Sequence, residues 1–282
     1  MADKDTFVKF SEFLKLKRYS PSTINTYTSL IHRFQRFVGE TPLEKLDHHV
    51  IVSKVLDFIK KQRYGTSAHK QLLGALRVFY NEFNSIKIDF TTIYPTRKQK
   101  FLPEILSKEE VERMLRVTTN LKHKTILLCI YGLGLRRSEL IQLKLSDIDG
   151  QRMMVHIKNA KGQKDRVVPL SPKLLAHLRN YYRAYKPNHY LFYGAKKQKY
   201  SETSLRSIFR KACREANIKK HVTPHSLRHA YATHLMDSGV SIRIIQELLG
   251  HNSLKTTMKY TRVTTKSMRN IKTPVDFLNI AI

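Results

Sequence analysis

The sequence predicts a mostly α-helical protein of two domains, the second carrying a small β-sheet. Three observations lead there. Apolar residues recur at three- and four-residue spacing along most of the chain, strict alternation is confined to one short stretch near the middle, and 282 residues suit about two domains. In SPSTINTYTSLIHRFQRFV, Ser20 suits a helix N-cap and Pro21 a first helical position. Ile24, Tyr27, Ile31, Phe34 and Val38 then trace one apolar face as far as Gly39. Two further amphipathic helices follow, one through Val50, Val55, Phe58 and Ile59, the other through Leu72, Leu73, Leu76, Phe79, Tyr80 and Phe83. The stretch IYPTRKQKFLPEIL, broken by Pro95 and Pro103 with a run of cations between them, reads as a basic linker.

Beyond the linker, Ser107 followed by Glu109 and Glu110 marks a helix start, and Val111, Met114 and Leu115 continue it. KTILLCIYGLGL is apolar nearly all round, which places it in a core. In MMVHIKNA, Met153, Val155 and Ile157 alternate with more polar neighbours; a KGQKD turn and RVVPLS complete a β-hairpin. Helices resume after residue 172, with starts expected at Ser201, Thr223, Ser241 and Ser253 and a C-cap at Gly250.

Lys and Arg number 52 against 22 Asp and Glu, a formal net charge of +30 that calls for a polyanionic partner. Charge alone does not separate DNA, RNA and anionic membrane. Cys129 and Cys213 form neither a disulfide framework nor a zinc spacing, which suits a reducing compartment, with the cytoplasm as the expected location. The N-terminus MADKDTFVKF lacks the apolar run of a signal peptide. No stretch of about 18 uncharged apolar residues exists to span a membrane, so neither secretion nor membrane insertion is expected.

Several polar residues stand where packing does not ask for them, and each has an ordinary reading beside a chemical one. Arg136 and Glu139, three apart at the end of the most apolar helix, read as a solvated pair or as part of a site. Lys161, in the hairpin turn, is a solubilising lysine or an ammonium able to reach a groove and release a proton. Thr223-Pro224 opens a helix, with His225 in its first turn and Arg228 one turn later on the same face, where an anion would meet N–H groups, imidazole and guanidinium together. His251 follows Gly250 directly, and Tyr260 lies beyond it on an expected short helix. Together, two arginines, two histidines, a lysine and a tyrosine suit nucleophilic attack on a phosphodiester without a metal. No carboxylate cluster for Mg²⁺ and no GxxxxGK[ST] loop stands out.

GLGLRRSEL, KGQKDRVVPL, PHSLRHAYATHL and LLGHNSLKTTMKYTRV, in this order, resemble the tyrosine recombinase, or phage integrase, family in its Xer and integrase branch. YSPSTINTYTSLIHRFQRF resembles the family's N-terminal core-binding domain. The resemblance covers nearly the whole chain. It implies a helical, SAM-like core-binding domain over residues 1–95, a basic linker over 96–102 and an α+β catalytic domain with a C-terminal tail over 103–282, the two domains gripping duplex DNA. It further implies that Arg136 and Arg228 clamp the scissile phosphate and that Lys161 protonates the 5′-oxygen leaving group. His225 acts as general acid/base, His251 donates a hydrogen bond to the phosphate, Tyr260 attacks, and Glu139 supports the cluster. No cofactor is implied. The implied partners are duplex DNA bearing an inverted-repeat site and three further protomers, identical or paralogous, in a tetramer.

One departure qualifies this reading: Arg137 stands where a small or apolar residue is expected. The choice of Lys161 over Lys158 and Lys164 rests on alignment with the family's hairpin. The apolar tail VDFLNIAI after Pro274 packs on its own domain or on a neighbour. Two rival functions remain at this level: a type IB topoisomerase-like DNA-relaxing enzyme, and a non-catalytic DNA-binding architectural protein.

Overall fold

The computed structural model describes residues 4–96, 104–158, 165–194, 198–251 and 253–258. The chain divides into two compact units, Met1–Phe101 and Leu102–Ile282. Most of the expected basic linker lies outside the described residues, as do the KGQKD segment from Lys161 to Lys164 and the C-terminal tail.

The first unit is built from helices α1 (Lys4–Leu16), α2 (Pro21–Val38), α3 (His48–Lys61) and α4 (Thr66–Arg77). Helix α2 begins as its sequence dictates, with the Ser20 hydroxyl accepting from the Thr23 N–H at 3.2 Å and Pro21 in the first turn. Helix α4 runs on into a wider π turn over Val78–Phe83, where Phe79 and Phe83 pack against Phe10 of α1. Phe10, Leu14, Ile31, Phe34, Val55 and Leu76 are all fully buried in this unit's core. Two buried polar groups are satisfied within it. Gln35 Nε2 donates to the carbonyls of Gly39 and Thr41, and the Tyr80 hydroxyl donates to the Leu43 carbonyl at 3.1 Å.

The second unit opens with α5 (Lys108–Val117), capped as the sequence predicts: the Ser107 hydroxyl accepts from the Glu110 N–H, and the Glu110 carboxylate accepts from the Ser107 N–H. Helix α6 (Leu121–Gly132) buries Ile126, Leu127, Cys129 and Ile130, the all-round burial that its composition requires. A short helix α7 (Arg137–Gln142) follows. Then comes an antiparallel sheet, β1 (Ile148–Asp149), β2 (Met154–Ile157) and β3 (Arg166–Pro169), in the order β1-β2-β3 with Val155 opposite Val168 and Ile157 opposite Arg166. The expected hairpin is β2–β3, and the two-residue β1 extends it. Helices α8 (Pro172–Tyr185), α9 (Glu202–Glu215), α10 (Pro224–Asp237), α11 (Ile242–Leu249) and α12 (Leu254–Thr257) complete the unit. Among the described residues no helix is long and apolar enough to cross a membrane.

One local feature departs from the sequence reading. Arg136 does not close the apolar helix. Gly134 takes φ +59°, the chain turns, and Arg136 adopts an extended conformation as the N-cap of α7. A side chain at 134 would strain the backbone and collide with the Tyr231 ring, 2.6 Å from the position of a Cβ.

Candidate active site

The α6–α7 turn, strand β3, helix α10 and the C-terminal end of α11 meet around one carboxylate, Glu139. Its side chain is 1% exposed. Because Glu139 is the third residue of α7, its Oε2 reaches back to accept the Arg136 N–H at 2.8 Å, while Oε1 accepts from Arg136 Nη1 at 2.6 Å. Arg166 grips the same carboxylate with both terminal nitrogens, Nη1 to Oε1 and Nη2 to Oε2, each at 2.8 Å. Arg228 Nη1 lies 3.6 Å from Oε2, and its side chain is fully buried. Burial works to raise the Glu139 pKa. The hydrogen bonds and charge of Arg166, with the backbone and side-chain hydrogen bonds of Arg136, overcome it and hold the carboxyl down at about 2.

The same three arginines cap the end of α11. A helix leaves its last carbonyls without intrahelical partners, and the macrodipole makes that end attract cations. Gly250, left-handed at φ 59°, ends the helix. Arg166 Nε donates to the Leu248 carbonyl at 2.7 Å, Arg228 Nη2 to the Leu249 carbonyl, and Arg136 Nη2 to the Gly250 carbonyl at 2.8 Å. Three consecutive carbonyls thus hold three different guanidinium groups, and His251 is the next residue. Its Nδ1 lies 3.0 Å from the Thr257 hydroxyl. Burial, then the charges of Arg228 and Arg136, push the His251 pKa down to about 4, so its ring is neutral at pH 7.

His225 stands at the first turn of α10, one turn before Arg228. Partial desolvation, followed by the charges of Arg228, Arg136 and Arg137, lowers its pKa. It lines a cleft of about 600 Å³ together with Arg136, Arg137, Glu202, Arg206 and Arg210. Arg137, half-buried at the wall of this cleft, pairs with Glu202 at 3.1 Å, which gives the one unexpected residue in its segment a partner.

Of the sequence-predicted residues, the structure brings Arg136, Glu139, Arg228, His225 and His251 to one place; Lys161 and Tyr260 lie outside the described residues. Lys158, a rival of Lys161, is occupied elsewhere. Its ammonium pairs with the buried Asp147 at 2.9 Å, and that hydrogen bond and charge raise its pKa. Sequence reasoning missed Arg166, although a signal was present: in RVVP, Arg166 shares the inward parity of Val168, and a cation facing inward on a strand needs a buried anion. Two guanidinium groups hydrogen-bonded to one carboxylate, a third close by and two neutral imidazoles beside them leave a positive excess. Such a site suits a phosphate and provides neutral bases next to it. Among the described residues, no group of three or more His, Cys, Asp or Glu side chains is placed to hold a metal ion.

Comparison with known proteins agrees with this architecture. Residues 104–267 match the phage integrase family, and residues 7–89 match the phage integrase N-terminal SAM-like domain. The tyrosine recombinase XerA of Pyrococcus horikoshii is 34% identical over 272 residues, covering 95% of this chain and 93% of its own. A crystal structure of XerA recombinase superposes with a TM-score of 0.56 at 27% identity, covering 94% of this chain and 95% of that one. A lambda integrase dimer bound to a COC′ core site shares the fold, with a TM-score of 0.74 at 17% identity over 93% of this chain and 96% of that one. This chain is a member of the phage integrase family, the tyrosine recombinases.

Proposed function

We propose that this protein is a site-specific recombinase that cuts and rejoins duplex DNA through a 3′-phosphotyrosyl intermediate, with Tyr260 as nucleophile. The observation that carries the reading is the convergence of Arg136 and Arg228 on Glu139, beside His225 and His251, in a chain of this family. Arg136 holds a non-bridging oxygen of the scissile phosphate, and Arg228, fully buried and bonded to the Gly134 and Leu249 carbonyls before DNA binds, exchanges a carbonyl for the phosphate; guanidinium forks gain most there as charge grows in the pentacovalent transition state. The Tyr260 hydroxyl attacks phosphorus and its proton passes to His225, whose depressed pKa keeps it able to accept one at neutral pH. The phosphorus–oxygen bond to the 5′-oxygen breaks, and Lys161 protonates that oxygen. His251, neutral, donates a hydrogen bond to the phosphate. Attack by the 5′-hydroxyl of a partner strand reverses the sequence of steps, so bond energy is conserved and neither metal nor ATP is required.

The N-terminal helical domain, the basic linker and the catalytic domain each add cations to the DNA interface, in keeping with the net charge of +30. Four protomers, all identical or including a paralogue, act on two inverted-repeat sites and exchange strands through a Holliday junction in the cytoplasm. The resulting event is an integration, excision, inversion or dimer resolution.

The test is incubation with a randomised pool of nicked duplexes in EDTA and without nucleotide, followed by denaturing isolation of protein-linked DNA. Wild-type protein should yield adducts enriched in one inverted repeat, and Tyr260→Phe none. Adducts without enrichment point to a DNA-relaxing enzyme; DNA binding with no adduct from wild type overturns the catalytic reading.

A further inference from the structure

We infer that Arg166, which the proposed reaction does not use directly, is a positioning residue that sets the phosphate-binding arginine and the His251 turn in register. The inference rests on the recombinase reading above. Arg166 touches both halves of the site with one rigid planar group: Nη1 and Nη2 hold the two oxygens of Glu139, and Nε holds the Leu248 carbonyl, three residues before His251. Its side chain is 6% exposed, so these bonds do not compete with bulk water. A carboxylate gripped at both oxygens is fixed in rotation, and the same two oxygens orient the Arg136 backbone N–H and guanidinium.

Packing supports the same role. A Cβ on Gly250 would lie 3.1 Å from Arg166 Cδ, so the turn leading into His251 closes directly onto the arginine's stem. Arg166 is also the first residue of β3, and it ties the sheet to α11 through these bonds. Three directed donors in a fixed fork are required, and lysine, with one compact ammonium, does not span two carboxylate oxygens and a carbonyl together. The role is therefore geometric rather than only a matter of charge.

The experiment compares wild type, Arg166→Lys, Arg166→Ala, Glu139→Gln and the double variant Arg166→Lys/Glu139→Gln on the nicked-duplex pool. It measures the single-turnover rate of adduct formation, the Kd for the pool and the melting temperature. Misplacing a phosphate clamp by about 1 Å costs about 100-fold in rate, so Arg166→Lys should form adducts at least about tenfold more slowly while Kd stays within about threefold of wild type. The double variant should be no slower than the slower single one, because both changes break one unit. Arg166→Lys forming adducts at the wild-type rate overturns the inference, as does a loss of rate matched by an equal loss of affinity. If Arg166→Ala does not fold, Arg166→Lys decides; failure of both to fold makes Arg166 a folding residue and also overturns it. Absence of adduct with wild type defeats the recombinase reading itself, whereas adducts at equal rates from every Arg166 variant defeat this inference alone.

Discussion

Glu139 is buried, with Arg136 and Arg166 hydrogen-bonded to it and Arg228 3.6 Å away, so removing its charge strands the cations, two of them buried. Breaking a buried ion pair by deleting one partner costs about 3–5 kcal/mol, and Glu139→Ala should lower the unfolding free energy by about that amount in urea titrations. The histidines make a second prediction. His32, His69, His123, His177, His225, His234 and His251 all have lowered pKa values, with burial as the leading cause. The unfolded chain then binds more protons than the folded one below pH about 6.5, so stability falls as pH drops from there. For His251 the loss runs down to about pH 4. Melting temperature should therefore decline across that window, and His251→Gln should flatten the decline; a pH-independent melting temperature would contradict the partial desolvation that lowers the His251 pKa. Glu139, held at about 2, adds to the fall only below about pH 4.5.

At the scale of elements, local chemistry in the sequence and the observed helices agree where a cap or a long period exists. Ser20, Ser107, Ser201 and Ser241 each accept a hydrogen bond from an N–H in the first turn of the helix that follows, and Gly250 ends α11 in the left-handed region. Strand β1 was not legible, because two residues carry no period. The π turn after α4 was not legible either, since aromatic residues at helical spacing look the same in both geometries. The break between α6 and α7 matters most for the site, as it turns Arg136 from the tail of one helix into the cap of the next. Gly134→Ala forces a left-handed backbone onto alanine and drives its methyl against Tyr231, and it should destabilise the protein by about 2 kcal/mol or more, readable as a lowered melting temperature.

For the whole molecule, the excess of 52 basic over 22 acidic side chains predicts how affinity responds to salt. Each neutralised phosphate releases counterions, so a footprint of about 6–10 phosphates should weaken binding by about 10³–10⁵ between 50 and 200 mM salt. A flat plot of log K against log salt, measured by fluorescence anisotropy, would contradict a phosphate-dominated interface. The two compact units bury separate cores, one around Phe10, Phe34 and Phe58 and the other around Leu127, Val155 and Phe209.

By itself the sequence determined the helical character, the hairpin, the family, and five residues that the structure brings together: Arg136, Glu139, His225, Arg228 and His251. The helices and the hairpin follow from capping and periodicity carried by neighbours in the chain, and the family and the five residues from the resemblance of short ordered motifs to that family. Only the tertiary structure decided that Lys158 is bound to Asp147, that Arg137 pairs with Glu202, and that Arg166 joins Arg136 on Glu139. The physical reason is sequence distance: Glu139 and Arg166 are 27 residues apart, and Arg166 and Leu248 are 82 apart. A charge at one of those positions carries no local mark of the partner that burial will give it.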